Sequence, residues 1–126
     1  MKGKDPSLSS QEKAQIRQNL EGTPDLEEAA ELISLAGNSS RLKLLLLLDT
    51  MKEVAVSDLA EILGLSASAV SQHLTKLKAY GLVAPRRDAQ TIYYRLTDHG
   101  FNDKLRHQWL ADFKFERRKK STPSKS

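Results

Sequence analysis

Residues 54–96 predict a mainly α-helical fold with a small β-hairpin, and three observations carry that prediction. Val56, Leu59, Ala60 and Leu63 fall on one face of a short amphipathic helix. After Gly64-Leu65-Ser66 comes a second helical pattern, Ala67 to Tyr80, ended by Gly81. Two β-rich runs follow, Val83–Arg87 and Thr91–Leu96, separated by Asp88-Ala89-Gln90 as a hairpin loop. Helix, turn, helix and hairpin in that order make a winged helix-turn-helix.

The flanking elements read in order. Residues 1–8 are expected to be disordered, and the folded domain is expected to span 9–119. Ser9 or Ser10 can cap a helix running to about Leu20, which Gly22-Thr23-Pro24 breaks. Thr23 can then cap a second helix with Pro24 at its first position, ending near Ala36 before Gly37-Asn38. Leu26, Ala29, Ala30, Ile33 and Leu35 give it an apolar stripe. Asn38 or Ser39 caps a third helix, Ser40 to Met51, whose LKLLLLL core is apolar almost all round and therefore central. Ser57 is the expected cap of the short helix, and Ser66 of the one after it. Thr97 or Asp98 should cap a last helix from about Gly100 to Lys119, within a dimerisation segment 98–119. Leu105, Trp109, Leu110 and Phe113 form its apolar face. Residues 120–126 read as a disordered basic tail.

Composition narrows the chemistry. Of the 126 residues 39% are apolar and 29% charged, ordinary for one globular domain. There is no cysteine, which removes disulfides, thiolate metal sites, a thiol nucleophile and thiol redox sensing together. The longest apolar run, Leu44–Leu48, is far short of the roughly 20 residues that span a bilayer. The first residues lack the apolar core of a secretion signal. The expected location is cytoplasmic, with no membrane partner. The net charge of +4 is unevenly spread: 12–31 nets −4, 66–95 nets +4 and 114–126 nets +5. A basic segment built on a helix-turn-helix suits the phosphate backbone of duplex DNA.

The second helix of the motif sharpens this. At about 100° per residue, Leu74, Leu77 and Gly81 lie within about 40° of Val70 and face the core. Ser68, Gln72, Thr75 and Ala79 lie opposite, flanked by Ser71 and Lys76. That outer face is short, polar and free of acids, which lets a helix enter the major groove. Gln72 is the candidate for direct base contact, because an amide pairs with adenine. Ser66, Ser68, Ser71, Thr75 and Lys76 are candidates for phosphate or mixed contacts. His73, about 60° from the core direction, reads as half-buried and satisfied by a neighbouring backbone. On the wing, Arg86, Arg87, Gln90 and Thr91 are expected at or near the tip, on phosphates or in the minor groove. Either arginine changed to Ala should weaken binding to all sequences alike and reduce the salt slope.

The segments SRLKLLLLL, VSDLAEILGLSASAVSQHLTKLKAYGLV and RRDAQTIYYRL resemble the ArsR/SmtB family of small bacterial winged-helix repressors. The likeness covers about Ala36 to Asp98, and the wing RRDAQTIYY looks like its NolR-like subgroup. The resemblance implies a sequence-specific regulator that is a homodimer, binds a palindromic operator and represses by blocking the promoter. The first and last helices would then pair the subunits, with Leu105, Trp109 and Phe113 in the interface. Metal-sensing members carry a Cys-x-Cys pair where this chain has Ala55 and Ser57. Others use a set of which only Asp98 remains, the partners aligning with Gly100, Ala111 and Lys114. The resemblance therefore implies a regulator without the usual metal or thiol site, without a cofactor, and with an effector that the residues do not name.

Two other readings stay open. One is a winged-helix protein-interaction module, which would ordinarily show an acidic or apolar outer face on the second helix. The other is a repressor with a noncanonical metal site on the last helix, using Asp103 and His107 four residues apart with His99 nearby. An enzyme is not expected: there is no phosphate-binding glycine loop, no nucleophile–base pair and no clustered carboxylates.

Overall fold

The structure is a computed structural model and describes residues 5–113. The chain divides into two units, Met1–Ile33 and Ser34–Ser126. In the first, α1 (Ser10–Glu21) begins at a capping box: Ser9 Oγ accepts from Glu12 N, and Glu12 Oε1 accepts from Ser9 N. No residue of α1 is buried; Ile16 and Leu20 are exposed. Helix α2 (Pro24–Ala36) crosses into the second unit. Thr23 stands at its N-cap position with Pro24 first in the helix, as expected, and its hydroxyl donates backwards to Asn19 O at 2.7 Å, closing the end of α1.

In the second unit the core is leucine-rich. Helix α3 (Ser39–Met51), capped by Asn38, buries Leu44, Leu45, Leu47 and Leu48, in keeping with its nearly continuous apolar run. It is followed by a short strand β1 (Glu53–Ala55) that the pattern of residue types does not announce. Helices α4 (Val56–Leu63) and α5 (Ala67–Ala79) come next. Ser57 is not the cap of α4: the N-cap is Ala55, without a side-chain bond. Gly64 ends α4 at φ 68°, a left-handed conformation that glycine adopts without strain. Ser66 Oγ accepts from Ala69 N at 3.0 Å and starts α5.

Strands β2 (Val83–Asp88) and β3 (Thr91–Leu96) form the wing. The expected simple hairpin is the larger part of a three-stranded antiparallel sheet in the order β1-β3-β2. Asp88 pairs with Thr91, so the loop shortens to Ala89-Gln90, with Ala89 at φ 57°. Thr97 closes the base of the wing, its amide on Leu82 O and its hydroxyl on Gly81 O.

The last helix differs most from expectation. It is capped by His99, whose Nδ1 accepts from Phe101 N, and not by Thr97 or Asp98. Helix α6 (Gly100–Lys104) passes into a π-helical stretch, Leu105–Leu110, and a 3₁₀ turn, Ala111–Phe113. The wider π turn shifts which side chains share a face. Leu105 and Leu110 become buried, while Trp109 and Phe113 stay 54% and 69% exposed. Arg106 Nε donates to the buried Asp49 at 2.7 Å, tying this stretch to α3. The expected continuation to Lys119 and the tail 120–126 lie outside the described residues, as do residues 1–4 of the N-terminus expected to be disordered. Among the described residues, no helix is long and apolar enough to cross a membrane.

Candidate nucleic-acid interface

Helix α5 presents the face that its periodicity predicts. Val70, Leu74 and Leu77 are fully buried, and Ser68, Ser71, Gln72, Thr75 and Lys76 are exposed together. These five side chains line one shallow surface depression. Their hydrogen-bonding capacity is partly assigned. The Thr75 hydroxyl donates to Ser71 O at 2.8 Å, so its free capacity is as an acceptor. The Ser66 oxygen accepts from the Ala69 amide, which leaves the hydroxyl proton for another acceptor. Ser68, Ser71, Gln72 and Lys76 supply donors. With no acid between Ser66 and Tyr80, nothing on this face repels a phosphate.

The wing meets this helix in a groove lined by Val56, Ser57, Ala67, Ser71, Gln90, Thr91, Ile92 and Tyr94. Ser71 belongs to both surfaces, so Gln90 and Thr91 lie beside the α5 residues. Ser57 and Tyr94 were not among the sequence candidates. The alternation of β3 carries a signal for Tyr94, since it shares a strand face with Ile92; nothing local marks Ser57.

The two wing arginines separate. Arg87 is exposed and pairs with Ile92, so it shares the face that borders the groove. Arg86 is not free at the tip as expected. It points to the other face, where it donates to both carboxylate oxygens of Glu53 at 2.8 and 2.9 Å. Its guanidinium lies 4.8 Å from the centroid of the Tyr93 ring. Hydrogen bonding with Arg86 lowers the Glu53 pKa and raises that of the guanidinium.

His73 also has a different partner from the one expected. Its Nδ1 lies 3.3 Å from Arg41 Nη1, while Arg41 Nε holds Leu35 O at 2.7 Å. Burial, and then the charges of Arg41 and Lys76, lower its pKa. A neutral ring that accepts at Nδ1 carries its proton on Nε2. On the last helix, Asp103 accepts from Arg106 and His99 Nδ1 is used as the α6 cap. Among the described residues, no three His, Asp or Glu side chains gather as a metal site. The three expected interface residues divide as well: Leu105 packs into the chain's own core, leaving Trp109 and Phe113 as exposed candidates.

Residues 38–84 match the model of a family described as bacterial regulatory protein, arsR family. The chain is similar to the nodulation protein NolR of Rhizobium meliloti, 54% identical over 72 residues. That match covers 56% of this chain and 57% of the relative, so the chain spans little more than half of that protein's length. It is 38% identical to the HTH-type transcriptional regulator YgaV of Escherichia coli K12, over 60% of this chain and 77% of the relative. Among solved structures, HlyU from Vibrio cholerae superposes with a TM-score of 0.60 at 34% identity. It covers 68% of this chain and 96% of that one.

Proposed function

The chain belongs to the arsR family of bacterial regulatory proteins, and from that premise we propose that it is a regulator of transcription that binds duplex DNA sequence-specifically. It acts as a homodimeric repressor on a palindromic operator. The observation that carries this reading is the acid-free outer face of α5, gathered beside the wing groove. Gln72 reads a base edge in the major groove. Ser66, Ser68, Ser71 and Lys76 donate to phosphates or bases, and Thr75 accepts. Arg87, Gln90 and Thr91 hold the backbone from the wing. Trp109 and Phe113 of the last helix are exposed and supply apolar surface that a second subunit would cover; within α1, Ile16 and Leu20 are exposed likewise. The absence of cysteine from the sequence, with Ala55 and Ser57 where metal-sensing relatives carry thiolates, makes this a regulator without that thiolate site.

Selection from random duplexes followed by footprinting tests the reading. Two inverted half-sites with centres about one helical turn apart, roughly 10–10.5 base pairs, are expected. Light scattering should give twice the chain mass. A monomer at micromolar concentration would overturn the dimer. No binding to any duplex at low salt would favour a protein-interaction module.

A further inference from the structure

Glu53 and Arg86 occupy the two outer strands of the sheet, β1 and β2, which share no backbone ladder because β3 lies between them. Their side chains join the outer strands across the middle one. Arg86 makes a bidentate bond to the carboxylate and lies over the Tyr93 ring. This fork-to-fork arrangement constrains orientation as well as distance. Register places Arg86 opposite Tyr93 and Glu53 opposite Arg95, so these side chains project from one sheet face. Arg87, Ile92 and Tyr94 project from the other, and Ile92 and Tyr94 line the groove beside α5. The Arg86 guanidinium is therefore turned away from that groove. The chain enters β1 through Lys52 at φ 79°, ψ −61°, a strained conformation for a side-chain-bearing residue. That strained turn sits immediately before the carboxylate.

We propose that Glu53 is a positioning residue for DNA binding: through Arg86 it struts the wing so that Arg87 and Gln90 meet the backbone beside α5, and Arg86 itself holds no phosphate. This rests on the DNA-binding reading above. It assigns the two neighbouring arginines different work. Arg87 contributes charge to the DNA contact, whereas Arg86 contributes geometry to the protein.

Duplex affinity measured across a salt series for the wild type, Glu53→Gln, Arg86→Gln, the double variant and the charge swap Glu53→Arg/Arg86→Glu tests it. Each single change should weaken binding roughly two- to fivefold, the range of an exposed ion pair, with the salt slope unchanged. The double variant should bind no worse than either single one, because both break the same contact. The swap should recover most of the loss. Arg87→Gln should instead make the slope shallower by about one. Amide exchange in the tip of β2 and β3 should quicken in Glu53→Gln without DNA present, while the thermal midpoint stays near wild type. A shallower slope in Arg86→Gln, with tighter binding by Glu53→Gln, would show that Arg86 is a phosphate contact masked by the carboxylate, and would overturn the strut. Unchanged affinity in both singles would overturn it equally. A wild-type chain that holds no duplex at low salt defeats the DNA-binding reading itself. That failure is separate from a strut whose loss leaves a binding-competent protein unaffected.

Discussion

Changing Asn102 to Asp should be far more damaging than changing it to Ala, although Asp keeps the size of the side chain. Asn102 is 1% exposed. Its Nδ2 donates to Leu82 O at 2.9 Å, to Thr97 O at 3.2 Å and to Thr97 Oγ1 at 3.4 Å. Two of these are carbonyls, so the nitrogen and not the oxygen must face them. Oδ1 is buried without a hydrogen-bond partner among the described residues. Asn102→Ala loses two good bonds at about 1 kcal/mol each. Leu82 O still accepts from Thr97 N. Deleting the unpartnered oxygen returns about 1 kcal/mol, and the void costs about the same again, for a net loss of about 2 kcal/mol. Asn102→Asp replaces the donor with a carboxylate facing carbonyls, a loss of about 4 kcal/mol or more near neutral pH.

Burial and the carbonyl dipoles would push that carboxyl's pKa up. A folded pKa above the unfolded value of about 3.9 means stability is present at low pH and is lost as pH rises through the folded pKa. Urea unfolding of wild type and both variants, followed from pH 7 down to pH 4, reads this as midpoint shifts at constant m. An Asp variant within about 1 kcal/mol of wild type at pH 7, or one whose deficit does not shrink on acidification, would refute the account of the site.

Other outcomes follow from the same geometry. Lys76→Ala should weaken binding to all duplexes alike and lower the salt slope by about one, whereas Gln72→Ala should relax preference at one base pair by about 1–3 kcal/mol with the slope unchanged; selection on variant operators separates them. His73, its pKa lowered by burial and then by Arg41 and Lys76, contributes stability that is complete above its ordinary 6.5 and is lost as pH falls through the depressed folded value. Subtracting the pH–stability curve of His73→Gln from that of wild type should show this slope, and a flat difference would contradict it. Lys52→Gly should raise stability by up to about 1 kcal/mol in chemical denaturation, because glycine accepts φ 79° without the strain a side chain imposes; a destabilised variant would show that the turn is not strained.

Much of the outer face of α5 was legible in the sequence. Val70, Leu74 and Leu77 repeat at helical spacing, so burying them obliges Ser68, Ser71, Gln72, Thr75 and Lys76 to face outward. The turn at Gly64 and the caps at Ser9 and Ser66 were equally local, because each is settled within four residues. Thr23 shows the limit of such reasoning: its hydroxyl can accept from an amide ahead of it or donate to a carbonyl behind it, and only the folded chain shows the proton going to Asn19 O. Leu105 shows another. A regular helix would align it with Trp109, but the π turn separates them into a buried and an exposed residue.

Residue type and short-range period are enough for the order of α1 to α5 and the two wing strands, for the inward and outward faces of α5 and for the lack of cysteine in the sequence. Which wing arginine borders the groove, the completion of the sheet by β1 and the contact of Arg41 with His73 come from long-range packing. Arg41 and His73 lie 32 residues apart and Glu53 and Arg86 lie 33 apart, and β1 meets β3 through pairs farther apart still, Glu53 with Arg95 and Ala55 with Tyr93. Strand register and helix packing bring such pairs together, and no local period encodes them.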